Sequence, residues 1–280
     1  MNILDPFLPK YKKTQILKVN LSEKLDFGKH QFFAFPLPLS DENQELVEYR
    51  FNAKPEKVIK TDNYSLAIFS REALQSKMLI LEAVIKRRPL KIKLTDKNSL
   101  QEKVESFAFS NFVNGRDKEI QKLVTVSDLK KNSQVETLTA VYDFVLNRLQ
   151  YGAPIDGLYT YKEALSKKEV DCGGFAMLLM SLLSGVGIQS RLAVGYVTTS
   201  SKVNNLSMHV WVEVLLLNNQ VFPLDPSIEW RRKHKLSNRQ GSFGFVGSDR
   251  VVVSYGIENS FFWQGKKYEF PILQKPFYFG

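Results

Sequence analysis

The sequence predicts an α+β protein, with a β-sandwich over residues 1–100, a core of helices and strands over 101–240, and a β extension over 241–280 packed on the rest. Three observations predict it. Apolar residues recur at every second position before residue 100. Helical spacing begins near Arg116 and gives way to period two again after Gly187. The segment from Arg250 onward holds three short strand-like runs, and a piece of about thirty residues buries too little core to stand alone.

In the N-terminal part, "QELVEYRF" places Val47, Tyr49 and Phe51 on one face, and "YSLAIF" places Tyr64, Leu66 and Ile68 on one face. "MLILEAVI" reads as a longer buried run, and "LKIKL" alternates Ile92 and Leu94 with lysines. Polar breaks such as "PLSDENQ" and "KTDNYS" separate these runs as hairpin loops do. Next, Ile120, Leu123 and Val124 form a short helical stripe. "SQVE" then offers a capping box from Ser133 to Glu136, ahead of Val135, Leu138, Val141, Tyr142, Val145 and Leu149 at helical spacing. "TYKE" repeats the box from Thr160 to Glu163. An apolar helix follows from Cys172, stopped by Gly185 and Gly187. "SRLAVGYVTT", "HVWVEVLL", "VFPLD", "RVVVSYGI", "FFW" and "KYEFPIL" complete the strands.

At 44% hydrophobic, 12% aromatic and 24% charged residues, the chain has the composition of a folded protein rather than a disordered one. Lysine and arginine (39) outnumber aspartate and glutamate (29), for a net charge of +10. That excess favours acidic partners. The densest basic run, "WRRKHKLSNR" from Trp230, reads as a solvated loop. It lacks the aromatic platform or docking element of a nucleic-acid site, so no specific nucleic-acid binding is expected. The single cysteine excludes an internal disulfide and fits a reducing compartment. "MNILDPFLPKYKK" lacks the apolar region of a signal peptide, and Phe175–Gly187 is too short to span a bilayer. The expectation is a cytoplasmic chain with no membrane span. The oligomeric state is not set by the sequence.

That lone cysteine stands in "VDCGGFAMLLMSLLSGVG". Asp171 is placed as an N-cap, accepting from Gly173 or Gly174, with Cys172 in the first turn. Unpaired N–H groups and the helix dipole favour an anion there, which makes a thiol a readier nucleophile. The Asp171 charge works against this, so a cationic neighbour is needed. Gly173 and Gly174 cost about 1 kcal/mol each against alanine, a cost that close approach of a substrate backbone would offset. Apolar on all sides, Phe175–Leu183 is expected to be buried.

His209 supplies the cation. It opens a strand on which Val210, Val212, Val214 and Leu216 form one face and His209, Trp211 and Glu213 the other. Asp225 lies at the end of the returning strand. Cysteine, histidine and aspartate are the nucleophile, base and orienter of a thiol acyl-transfer triad. A hairpin centred on Leu217 would set Asp225 opposite His209, whereas Asn218 and Asn219 are the turn formers; a bulge or bend near Pro223 is expected to reconcile the two.

These residues resemble the transglutaminase-like superfamily, a branch of the papain-like thiol enzymes. Cys172 with Ala176, "GIQSR" followed by "VGY", "HVWVE" and "PLDPS" stand in the family's order, with 37 residues from Cys172 to His209 and 16 more to Asp225. Gln189 departs from the family's usual proline, which changes a turn and not the chemistry. The likeness covers Val135 to Ser227. It implies a cysteine-protease-like core, a helix bearing the nucleophile on an antiparallel sheet bearing base and acid. It also implies chemistry with no cofactor or metal, and the sequence has no cysteine pairs for the zinc of peptide N-glycanases that share the triad.

The resemblance implies a peptidase or amidase acting on peptide or glutaminyl amide bonds, with a protein or peptide substrate and Cys172, His209 and Asp225 as catalytic residues. A cross-linking transglutaminase is the alternative, since an amine can replace water in the second step. A non-catalytic binding module is the third reading, disfavoured because cysteine and histidine are both retained. The oxyanion takes the backbone N–H of Cys172 and a second donor among Gln150, Tyr151, Tyr159 and Tyr161. Arg191 and Glu213 are read as a supporting ion pair and Trp211 as packing. His30 and His234 are read as exposed and without partners.

Overall fold

The computed structural model describes residues 13–74, 76–94, 110–198, 206–217, 220–239 and 243–280. The chain divides into two units. One holds residues 13–89, Val194–His209 and Gly247–Gly280, and the other holds Leu90–Ala193 and Val210–Val246.

The first unit is built of strands. β1 (Gln15–Lys24), β2 (Phe32–Leu37), β3 (Gln44–Phe51), β4 (Lys57–Lys60), β5 (Ser65–Ser70) and β6 (Met78–Arg87) follow in order. β6 lies between β1 and β3, and β5 between β2 and β4, with every pair antiparallel. "MLILEAVI" is not the continuous buried run its composition suggests. Alternation along β6 is strict, with Leu79, Leu81, Ala83 and Ile85 turned inward. They meet Phe33, Phe35, Ala67 and Phe69 of the second sheet in one apolar cluster, which makes the pair of sheets a sandwich. In β3 the expected face also breaks. A bulge between Leu46 and Glu48 turns Val47 out to 53% exposure, while Tyr49 and Phe51 pair with the inward Ala83 and Leu81.

The second unit begins with β7 (Leu90–Lys91), α1 (Lys118–Val126), α2 (Gln134–Arg148), β8 (Gln150–Tyr151) and α3 (Tyr161–Ser166). It continues through β9 (Glu169–Val170), α4 (Cys172–Gly185), β10 (Ser190–Thr198), β11 (Leu206–Leu215), β12 (Val221–Leu224), α5 (Pro226–Lys233) and β13 (Phe245–Val246). Ser133 and Thr160 cap α2 and α3, each with its reciprocal glutamate in place. Within this unit α4 is the central element. Every residue from Gly173 to Leu183 is buried, and α1, α2, α3 and α5 pack against it. β11 pairs with β12, and β13 with β7.

The division between units falls inside β10 and β11. In the sheet unit, β14 (Arg250–Tyr255) runs beside the end of β10. A Cβ on Gly195 would lie 1.8 Å from the Val251 carbonyl oxygen, so glycine is the residue that permits this approach. β15 (Asn259–Trp263) and β16 (Lys266–Phe270) form a hairpin, and β17 (Phe277–Phe279) pairs with β2. Phe261, Trp263 and Phe279 cover Phe32, Ala34, Leu66 and Ile68, the outer face of β2 and β5. Both faces of those strands are therefore occupied, which is why all six residues of β2 are buried with no alternation.

Candidate active site

Cys172 is the first residue of α4 and is half-buried. Asp171, in extended backbone, caps the helix. Its Oδ1 accepts from the N–H of Gly173 at 2.8 Å and of Gly174 at 3.3 Å, and its Oδ2 from the N–H of Ile155 at 3.2 Å. The cap thus consumes the donors behind Cys172 and spares the one on it: the Cys172 N–H donates to nothing among the described residues. The two glycines have an internal cause rather than the substrate approach read from the sequence. A Cβ on Gly174 would lie 2.5 Å from Cβ of Val170, and one on Gly173 would lie 3.0 Å from Leu158 Cδ1. β9 lies too close to the helix mouth for a side chain at Gly174, and the loop before α3 leaves little room at Gly173.

β8 runs parallel to β9, with Gln150 beside Glu169 and Tyr151 beside Val170. Tyr151 therefore sits alongside the turn into Cys172. Its ring centroid is 6.5 Å from that of Phe175, and the Arg231 guanidinium lies over it at 5.0 Å. Burial, then the charge of Cys172, pushes the phenol up to about 12, with Asp171 and Asp225 adding to the rise and Arg231 opposing it. Cys172, Asp225 and Arg231 accordingly act on one hydroxyl, which has no hydrogen-bond partner among the described residues. The other tyrosines are committed elsewhere. The Tyr159 hydroxyl donates to the Ala153 carbonyl at 2.6 Å, and the Tyr161 hydroxyl to Asp117 Oδ2 at 2.9 Å. Gln150 is exposed.

On the hairpin, Val212 pairs with Leu224, Glu213 with Pro223, Val214 with Phe222 and Leu215 with Val221, without a register shift. Of the bulge or bend expected near Pro223, the ladder shows no bulge; Asn218 and Asn219 lie outside the described residues. Departure from the ladder comes two residues later, at Asp225, whose φ of −136° and ψ of 76° make it the N-cap of α5. Its Oδ1 accepts from the Ile228 N–H at 3.1 Å and the Ser227 hydroxyl at 2.9 Å. Pro226 occupies the first turn, where its missing N–H costs nothing. α5 also corrects the reading of Trp230 onward as a loop: Trp230–Lys233 is helical, and only the residues after it leave the helix.

His209 does not open its strand; β11 begins at Leu206. The imidazole-bearing residue is buried, at 5% exposure, and Gln274 Nε2 donates to its carbonyl at 3.2 Å and to that of Gly195 at 2.6 Å. It is the last residue of the sheet unit's share of β11, one peptide bond before Val210. Alternation puts its side chain on the face of Trp211 and Glu213, and the register adds Pro223 to that face. Glu213 is engaged by Arg191, whose Nε and Nη2 lie 2.9 and 2.8 Å from Oε2, and Trp211 is fully buried beside it. His30 and His234 are not isolated as expected. His30 stacks near Tyr278 at 6.3 Å, and His234 stacks on Trp230 at 3.8 Å.

Residues 121–226 match the family model of the transglutaminase-like superfamily. This stretch is similar to a transglutaminase-like core. A candidate cysteine protease from Cytophaga hutchinsonii shares the fold at a TM-score of 0.59 and 14% identity, over 87% of this chain and 81% of that one. The periplasmic domain of TgpA from Pseudomonas aeruginosa is aligned over 82% of this chain and 87% of its own, at 12% identity and a TM-score of 0.39. No curated protein matches the sequence. The matched stretch contains Tyr151, Cys172, His209 and Asp225, and Arg231 lies just beyond its end, on α5. Sequence reasoning missed Arg231 by assigning it to a loop, although "DPS" is a capping signal for the helix that carries it. Among the described residues no group of histidine, cysteine, aspartate and glutamate is placed to hold a metal ion, and no helix is long and apolar enough to cross a membrane.

Proposed function

We propose that this protein is a cysteine-dependent acyl-transfer enzyme, a peptidase or amidase acting on a protein or peptide substrate. One observation carries the reading. Cys172 stands at a helix mouth with its own N–H unengaged, and it and Asp225 act on the same tyrosine hydroxyl. Cys172 Sγ attacks the carbonyl carbon as His209 takes the thiol proton. The oxyanion of the tetrahedral intermediate accepts from the Cys172 N–H and from Tyr151, whose raised phenol keeps its proton at neutral pH. The C–N bond then breaks, the amine leaves with the proton from His209, and a thioester remains. Water, deprotonated by His209, releases the acid and regenerates the thiol. Asp225 holds the imidazole in the working tautomer, its own position fixed by the Ile228 N–H and the Ser227 hydroxyl.

A single cysteine, with no disulfide to lose, supports a cytoplasmic setting for this thiol chemistry. Incubation with a peptide library, read by mass spectrometry with and without an added primary amine, tests the function. Hydrolysed peptides are expected without amine. Amine adducts as the main product would make the enzyme a transglutaminase. No product above that of Cys172→Ala would sink the enzyme reading altogether.

A further inference from the structure

Arg231 is a cation that the fold orients without neutralising. Its neighbour Arg232 pairs with Glu229. The Arg231 guanidinium makes no ion pair or hydrogen bond among the described residues; its contact is the face of Tyr151 at 5.0 Å. A guanidinium placed over a ring face keeps its N–H donors available for another partner, which suits bidentate capture of a carboxylate. The nearby carboxylates are engaged as caps: Asp171 accepts from three backbone N–H groups, and Asp225 from Ile228 and Ser227. Tyr151 lies beside Val170, two residues ahead of Cys172, so the cation and the nucleophile flank one short segment. The net charge of +10 draws acidic substrates in the same sense.

We propose that Arg231 is a specificity residue that binds a carboxylate of the acyl donor close to the scissile amide, selecting acidic substrates over neutral isosteres. This rests on Cys172 being the nucleophile. The carboxylate is supplied either by an aspartyl or glutamyl side chain or by a chain terminus, and the two share the same chemistry.

Cys172 reports on the cation directly, because iodoacetate is anionic and iodoacetamide its neutral counterpart. The ratio of their alkylation rates cancels changes in the thiol's own reactivity. It is expected to exceed that of N-acetylcysteine and to fall roughly fivefold in Arg231→Gln, the scale of one partly screened charge at close range. Arg231→Lys should keep most of it, which separates loss of charge from loss of fold. A ratio unchanged in Arg231→Gln overturns the proposal. In a second arm, kcat/KM is compared for peptides differing only as glutamate against glutamine beside the cleaved bond, and as C-terminal acid against amide. The arm in which Arg231→Gln removes the preference identifies the source of the carboxylate, and a loss shared equally by acidic and neutral peptides counts against the proposal. Should no peptide be turned over while the alkylation ratio still falls, the anion site stands and the peptidase reading fails. Turnover with an unchanged ratio gives the reverse.

Discussion

Cys172→Ala should abolish turnover and leave the fold intact, because a half-buried first-turn side chain leaves little cavity when truncated. Strong destabilisation in a urea titration, together with a native thiol that resists iodoacetamide, would make the residue packing and not a nucleophile. Asp225 must be tested with care, since it caps α5 as well as being the proposed orienter. Asn is an equally good cap, so Asp225→Asn should keep the folded stability and lose kcat by several orders of magnitude through the wrong tautomer. Asp225→Ala removes both functions at once and should cost about 1 kcal/mol more in stability. Tyr151→Phe keeps the ring under Arg231 and deletes only the hydroxyl. If that hydroxyl holds the oxyanion, kcat should fall about 10²-fold with KM little changed. A kcat equal to the parent's would return the second donor to Gln150, the remaining side chain of the original four with an unassigned polar group.

Elements separate what the sequence spells out from what only packing decides. Asp171, Ser133 and Thr160 are local signals: each cap needs only the next three residues to be recognised, and each is found where the pattern places it. Alternation gave the faces of β5, with Tyr64, Leu66 and Ile68 on one side, but not the layer that covers them. β2 and β5 are covered by the sandwich on one side and by Phe261, Trp263 and Phe279 on the other, and nothing within six residues encodes a partner more than 180 positions away. Val47 was misplaced because a bulge shifts the period by one residue and leaves no compositional mark. For Gly173 and Gly174 the residues were legible and the cause was not. Gly174→Ala drives a Cβ into Val170 and should lower stability by about 1–3 kcal/mol while displacing the helix mouth, read as slower alkylation of Cys172. Gly173→Ala brings a Cβ to 3.0 Å from the mobile end of Leu158 and 3.1 Å from Asp171 Oδ1, small shifts that the gain in helix propensity should offset, leaving it milder than Gly174→Ala in the same urea titration.

Across the whole molecule, the eleven tyrosines link folding to high pH. Burial raises Tyr151 and Tyr161 to about 12, with Asp117 adding to the rise at Tyr161 through the hydroxyl it accepts. Tyr196, in the core of the sheet unit, is pushed up further by burial, and its hydroxyl donates to the Gln274 carbonyl at 2.7 Å. Each of these phenols holds its proton more tightly in the folded chain than in the unfolded one, where it titrates near 10. Below about pH 10 both states are protonated and stability is unaffected by these groups. Between about 10 and 12 the unfolded chain loses protons that the folded chain keeps, so stability falls as pH rises through this window. The effect arises in both units, since Tyr151 and Tyr161 belong to one and Tyr196 to the other. Urea midpoints should therefore be level from pH 8 to 10 and decline beyond it, and the phenolate absorbance of the folded protein should rise in two stages, with the late stage coinciding with unfolding. A single stage centred near pH 10 in the folded protein would mean these hydroxyls are open to solvent, and would contradict the burial of the Tyr151 phenol.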